Sequence, residues 1–401
     1  MRKGFEMSRR LPMLAMIAVL AVAGLVGGVG PAQAAPPPTA DAPNADTPNA
    51  WTEVEQPRPG GADTYLHDVV VPAADDMWSV GYTFAVVGGA FEFRTYGQHC
   101  VQGVCTRANL PNREGAPATN FLYGIGAHSP TDMWTVGYSR DPGQAGITMA
   151  IRYDGSNWTI VDTPNPAGSN GSYLYSVAHL GPAEAIAVGG YEDSAGNVPR
   201  PLAMRWDGAA WSLLAVPAVP GCMTRATLYD VAAVGSSTFM AGTCRDVGGA
   251  DAGFVLSRSA VSRWKIQVAP GDGVLPTPST LQSLSFVPGS GVWAVGTSNN
   301  FALQTAAGIS IRLAAGTWSP VPVPQVGTST QLLAVAGTAR NAVWSVGITA
   351  TGAFAERLSL YWNGRRYVNV AAGDYSNLKG VAYDPAGFWW SVGHDLGDSV
   401  I

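Results

Sequence analysis

Charge is scarce in this chain. Only 13% of its 401 residues are charged, against 47% hydrophobic. Helical patterning is missing too: no long stretch repeats apolar residues at i, i+3, i+4 and i+7, which argues against a helical bundle. The sequence has no GxSxG elbow, HExxH pair, Walker loop or dinucleotide-binding glycine fingerprint. It has no CxxC and no paired Cys/His spacing. No cofactor and no metal are therefore expected. Beyond residue 34 there is no Lys/Arg cluster and the balance is acidic, so nucleic acid and anionic membrane surfaces are excluded as expected partners. What is plentiful is glycine (49) and proline (29). Many turns and little charge point to short strands, an all-β chain.

The N-terminus reads as an export signal. Arg2, Lys3, Arg9 and Arg10 form a basic start, Leu11 to Gly30 is apolar, and Ala32-Gln33-Ala34 offers a small-x-small cleavage site. The alternative, a retained anchor, is disfavoured by Pro12, the glycine content and that cleavage site. Ser8-Arg9-Arg10 begins a twin-arginine motif whose remainder is poor. Cleavage after Ala34 removes four basic residues and Glu6, taking the formal charge from −5 to −8. Residues 35–50 are Pro, Ala, Asp and Asn with nothing to bury, a disordered tether. The expected organisation is a signal peptide (1–34), a tether (35–50) and one folded domain (51–401), secreted, free of the membrane once the signal is removed, and monomeric.

Within that domain the chain repeats itself. LHDVVVPAADDMWSVG (66–81), LYGIGAHSPTDMWTVG (122–137), LYSVAHLGPAEAIAVG (174–189), LYDVAAVGSSTFMAG (228–242), LQSLSFVPGSGVWAVG (281–296), LLAVAGTARNAVWSVG (332–347) and LKGVAYDPAGFWWSVG (378–393) share one plan. Each opens on Leu, turns through polar or small residues, and closes on an apolar or aromatic pair before Gly. Two apolar runs around a tight turn make a hairpin. A second hairpin follows in most repeats, clearest in AIRYDGSNWTIVDTP (150–164) and AMRWDGAAWSLLAVP (203–217). Two hairpins per unit of about fifty residues make a four-stranded blade, and seven units make a seven-bladed β-propeller.

A propeller must close, because an open ring leaves two bare sheet edges. Repeat seven runs out at Ile401, with residues for a third strand only, while an orphan strand, WTEVEQPRPG (51–60), precedes repeat one. It matches WTIVDTPNPAG (158–168), a fourth strand with its exit loop. Trp51 to Gln56 is therefore expected to complete the last blade. Four cysteines in an exported chain suggest two disulfides. Cys222 and Cys244 flank the first hairpin of repeat four, and Cys100 and Cys105 flank a turn in repeat one, so these two pairings are expected.

Residues that recur at one place in every repeat are most simply architecture. Arg94, Arg152, Arg205, Arg258 and Arg312 are aligned as one such set, and Trp78, Trp134, Trp293, Trp344 and Trp389 as packing between blades. Asp75, Asp76 and Asp132 are assigned to turns, bonding their own backbone. Function is sought where the repeats differ. The residue after each opening Leu varies: His67, Tyr123, Tyr175, Tyr229, Gln282, Leu333 and Lys379. These are expected to ring the central channel beside the variable loops, which carry Arg245, His394 and Asp395 among other charges. Tyr123, Tyr175, Tyr229, Arg245 and Asp395 are the candidate ligand-binding residues. His67, His394 and Lys379 are the candidate catalytic cluster, since repeats one and seven are neighbours in a closed ring. The bland alternative for the tyrosines is that Tyr suits a strand.

Residues 51–401, with units such as SPTDMWTVG…RYDGSNW, resemble the exported propeller repeats common in actinobacteria, a group defined by fold and not by activity. The Asp-Gly-x-x-Trp turns at Asp154-Gly155 and Asp207-Gly208 partly resemble the Asp-box of sialidase-like propellers, but the Ser-x-Asp-x-Gly spacing is not met, so sialidase activity is not implied. The kelch double glycine and the Trp-Asp ending of WD repeats are missing. Related propellers include lectins, lyases and glycosidases, and the fold leaves the reaction open. The leading expectation is an extracellular, lectin-like propeller that binds a polysaccharide or other glycan. The alternatives are a secreted polysaccharide lyase or glycoside hydrolase at the same channel mouth, and a protein-interaction scaffold.

Overall fold

Every Leu-to-Gly segment pairs with itself as an antiparallel hairpin, with its leucine opposite its glycine: Leu66–Gly81, Leu122–Gly137, Leu174–Gly189, Leu228–Gly242, Leu281–Gly296, Leu332–Gly347 and Leu378–Gly393. These pairings come from a computed structural model. It describes residues 6–7, 48–57, 59–60, 62–113, 119–259, 264–300, 303–351, 354–373, 376–395 and 398–400. The expected leader and tether lie outside the described residues, apart from Glu6–Met7 and residues 48–50.

The second hairpins form as well. Residues 147–161, 199–213, 251–268, 305–320 and 354–369 each supply a third strand and a short fourth. In the first unit this role falls to Ala90–Val101 and Val104–Arg107. The turns are set by residue chemistry. Asp154 Oδ1 accepts the N–H groups of Ser156 and Asn157, and Asp207 and Asn363 repeat the device two and three residues ahead. Asp76 and Asp132 differ from the expectation. Asp76 takes the Trp78 indole N–H at 3.0 Å and His99 at 2.7 Å, and Asp132 holds Arg152 at 3.1 Å, so both tie strands together through side chains.

The strands form sheets of four to eight strands, and no helix occurs among the described residues. Two of the sheets are eight-stranded because single parallel pairs, Phe93–Thr119 and Ala306–Ser329, join neighbouring units. In the last unit Phe388–Asp395 pairs with Asp398–Val400, the third strand expected of the chain's end. Glu6 and Met7 pair with Trp390 and Trp389 along the same strand. They belong to the expected leader, so they can hold this edge only in an uncleaved chain.

Large aromatics fill the spaces between units. Trp134 packs on Trp211 of the next unit at 5.0 Å, Trp293 on Tyr367 at 6.4 Å, and Trp344 on Trp51 at 5.1 Å. Trp51 thus holds, against Trp344, the place that Trp211 holds against Trp134. Its indole N–H donates to Ser359 Oγ at 2.8 Å. Val54 shares a core with Leu66, Trp390 and Val392, residues from both ends of the repeat array. Each fully buried tryptophan contributes roughly 2–3 kcal/mol.

The arginine alignment needs two corrections. Arg152 and Arg312 pair across the ladder with Trp134 and Trp293, and Arg205 with the equivalent Ile186. The residue opposite Trp78 is His99, not Arg94, and His99 stacks on Trp78 at 3.9 Å. The hairpin of unit one has twelve-residue strands, and Arg94 lies further toward its outer end, opposite Thr83. Arg258 sits one step further along, opposite Thr238. Arg152, Arg258 and Arg312 lie over Trp rings, which fits a structural set. Both disulfides are present, Cys100–Cys105 and Cys222–Cys244.

Candidate functional site

The first strand of every unit breaks register directly after its opening leucine. The ladder skips from Leu66 to Asp68, Leu122 to Gly124, Leu174 to Ser176, Leu228 to Asp230, Leu281 to Ser283, Leu332 to Ala334, and Leu378 to Gly380. The skipped residues are His67, Tyr123, Tyr175, Tyr229, Gln282, Leu333 and Lys379. Each is therefore a β-bulge, an extra residue whose side chain is re-aimed by the local twist. The closing glycine makes the bulge possible. A Cβ on Gly189 would lie 1.9 Å from the Tyr173 carbonyl oxygen, and one on Gly81 would lie 1.8 Å from that of Tyr65. No side chain fits there, which explains a glycine in all seven repeats.

The residues just past the bulges line a single cavity of about 350 Å³. Its walls include Asp68, Ile125, Ser176, Asp230, Ser283, Ala334 and Val381, contributions from the first strand of every unit. The lining runs onward from residue 68 to 71 and from 334 to 337, so the bulges stand at one end of it. Units seven and one meet at this level: a Cβ on Gly380 would lie 3.1 Å from Asp68 Cα. Lys379 and His67, one residue earlier on each strand, are neighbours.

The bulged rings form a continuous arc. His67 meets Tyr123 edge-on at 4.9 Å, Tyr123 lies 5.4 Å from Tyr175, and Tyr175 lies 5.6 Å from Tyr229. On the other side His67 stacks on Tyr82 at 5.4 Å, Tyr82 on Tyr65 at 4.9 Å, and Tyr65 meets His394 at 4.9 Å. The structure thus brings together His67, His394, Lys379, Tyr123, Tyr175 and Tyr229. It adds Tyr65, Tyr82, Tyr138 and Asn377, which the sequence reading passed over. Their signal was there: Tyr82, Tyr138 and His394 each follow a closing glycine, and Tyr65 and Asn377 each precede an opening leucine.

Burial sets the electrostatics. His67 is pulled down to about 3, first by loss of water, then by the nearby Lys379 charge and by His394. His394 falls to about 4 for the same reasons, burial ahead of Lys379. Burial also lowers Lys379. Both imidazoles are neutral at pH 7. His67 Nε2 and His394 Nδ1 are buried without a hydrogen-bond partner, while His394 Nε2 lies 3.1 Å from Asn377 Nδ2. No ion-pair partner for Lys379 occurs among the described residues. Burial drives the tyrosine hydroxyls upward, Tyr82 to about 12 and Tyr123 and Tyr175 further, so none is ionised near neutrality.

Arg245 is tied to its own hairpin, to Asp251 at 3.1 Å and to the Gly249 carbonyl at 2.6 Å. Asp251 acts electrostatically on Tyr229, so Arg245 borders the far end of the arc and is not part of the His67 cluster. Asp395 continues the strand after His394, opposite Asp398, and its side chain lies outside what is described. His128 and His179, 6.0 Å apart, lie near the other end of the first strands, away from the bulges. Among the described residues no group of three metal-ligating side chains converges.

No protein-family model matches the chain, and no curated protein matches it. Solved structures do. A polysaccharide lyase of family PL25, an ulvan lyase bound to -[GlcA(1-4)Rha3S]-, superposes with a TM-score of 0.52 at 9% identity, over 85% of this chain and 97% of that one. A Hadza microbial sialidase gives 0.46 at 10% identity, over 76% and 73%. A Trypanosoma rangeli sialidase in complex with sialic acid gives 0.43 at 9%, over 87% and 54%. The chain shares the all-β fold of that ulvan lyase structure.

Proposed function

We propose that the chain is a secreted, seven-bladed propeller that binds a polysaccharide at the bulged end of its central channel. The observation that carries this reading is the arc of Tyr229, Tyr175, Tyr123, His67, Tyr82 and Tyr65, with successive rings 4.9 to 5.6 Å apart. Such an arc offers apolar ring faces to the C–H faces of sugars and hydroxyls to their oxygens. Fold similarity to an ulvan lyase agrees with a glycan ligand and carries no residue roles.

Ring closure is part of the same proposal. Trp51 against Trp344, Val54 beside Trp390, and Gly380 against Asp68 support the last blade being completed by residues 51–56. Export after cleavage of residues 1–34 fits the two disulfides. The mature chain is proposed to be monomeric, and its acidic balance disfavours nucleic acid and anionic membranes.

A second reading, catalysis at this place, is favoured by one feature. His67 is a neutral imidazole with an unpartnered Nε2 beside the Lys379 ammonium. That geometry places a proton acceptor, made a weak base by its low pKa, beside a cation that stabilises a developing anion, as in polysaccharide β-elimination. One assay separates the readings. The mature protein is incubated with a panel of polysaccharides, following retention and chain length together. Retention with unchanged chains is the expected outcome for the binding reading. Chains shortened with new unsaturated ends, lost in His67→Ala, would replace it with the lyase reading. Failure to retain any polysaccharide would overturn both.

A further inference from the structure

The seven bulges use one backbone device to present seven different side chains, and they do not spread them evenly. Units two, three and four present Tyr123, Tyr175 and Tyr229, while units seven and one present Lys379 and His67. His394, beside Lys379, adds a second imidazole to that sector. The ring is therefore polarised, with an aromatic sector and a nitrogen-base sector, while units five and six present Gln282 and Leu333.

The groups facing the base sector are few. His67 faces Lys379, His394, Tyr82 and Tyr123, and His394 faces Lys379, Asn377 and Tyr65. The nearest described carboxylate along the chain, Asp68, is turned away. Its Oδ1 accepts Val69 N–H and its Oδ2 accepts Ile125 N–H, at the cavity wall. Asp63 is exposed at the outer end of the same strand, and Asp395 and Asp398 lie at the turn beyond His394. A half-buried ammonium with no anion opposite it among the described residues, next to two unpartnered imidazole nitrogens, lacks a counter-charge there.

We propose that Lys379, His67 and His394 bind an oxyanion of the ligand, so that the polysaccharide taken by this ring is an acidic one. This rests on the glycan-binding reading and narrows it. The oxyanion, a uronate carboxylate or a sulfate ester, lies against the base sector, and the sugar faces continue over Tyr123 and Tyr175. An anion there supplies the charge that the ammonium lacks and accepts hydrogen bonds from imidazoles that protonate as it enters. Binding therefore strengthens as the pH falls.

The test uses the mature protein and four probes: a tetragalacturonate, its carboxyl-reduced counterpart, a sulfated neutral oligosaccharide, and inorganic sulfate. Calorimetry reads affinity, and NMR reads titration of the two imidazoles. The acidic oligosaccharides are expected to bind at least about tenfold more tightly than the reduced one, a gap of about 1.4 kcal/mol. That gap should widen from pH 8 to pH 5 and vanish in Lys379→Met, with an unchanged melting temperature certifying the fold. Preference between the uronate and the sulfated probe identifies the oxyanion. Equal binding of the acidic and reduced oligosaccharides would overturn the oxyanion site and leave glycan binding standing. If no oligosaccharide binds but sulfate raises both imidazole pKa values, the oxyanion site stands and the glycan reading falls. No response to any probe would end both.

Discussion

Asp68 shows how much one residue can carry at a junction between units. Its two carboxylate oxygens accept main-chain N–H groups of its own strand, at Val69, and of the next unit, at Ile125. Asp230 repeats the arrangement with Val231 and Leu284. Both face the cavity, and burial raises both carboxyls, Asp68 to about 7. A folded-state pKa above the unfolded one means that the proton favours the fold. This stabilisation is fully present below about pH 4 and is lost as the pH rises through 7. Asp68→Asn keeps one acceptor oxygen and leaves one N–H unmet. At pH 4 the variant should be less stable than the wild type by about 1 kcal/mol. The gap should close or reverse by pH 8, where the wild type holds a buried charge. Urea midpoints at the two pH values measure it, and a gap independent of pH would refute the assignment.

At the scale of elements, hairpins are the units of construction and the two disulfides reinforce two of them unequally. Cys222–Cys244 joins strands across a separation of 22 residues, at the end of the unit-four hairpin. Cys100–Cys105 spans a separation of only 5, around the turn between residues 101 and 104. Loop-closure entropy predicts that removing the first costs about 3 kcal/mol and removing the second about 2 kcal/mol. Paired Cys→Ser variants compared by denaturant midpoint check the order. If the short loop proves the more costly, chain entropy is not the dominant contribution. The long hairpin of unit one stands apart from the others. Its strands, Asp76–Val87 and Ala90–Val101, carry exposed Val86, Val87 and Phe91 at the tip.

For the whole molecule, the decisive contact joins the ends of the array. Trp51 is buried against Trp344 and Tyr361 of unit six and Leu378 and Trp389 of unit seven. A propeller closed through residues 51–56 depends on it. Trp51→Ala should cost about 3–5 kcal/mol. Deleting residues 1–34 should leave the melting temperature unchanged, whereas deleting residues 1–56 should lower it by many degrees. Equal stability of the two truncated chains would sink closure by this segment.

The sequence by itself determined what depends on periodicity. Seven Leu-to-Gly segments dictated seven hairpins, because alternating apolar residues around Gly- and Asp-bearing turns have one low-energy arrangement. The spacing of four cysteines was enough to pair them, since antiparallel strands bring the ends of a hairpin together. The variable residue after each leucine was also legible, as a strand position that differs among copies. How that position presents its side chain came from packing in the tertiary structure. The register skip that makes His67, Tyr123, Tyr175, Tyr229 and Lys379 bulges follows from the approach of the Gly81-type backbone to the preceding carbonyl, a contact with no signature in spacing. Tyr65, Tyr82 and Asn377 joined the arc through packing across strands. Arg245 borders the arc through Asp251, six residues on, to which it is paired. The neutrality of His67 and His394 came from burial beside Lys379, a contact between the first and last units that a linear chain keeps more than 300 residues apart.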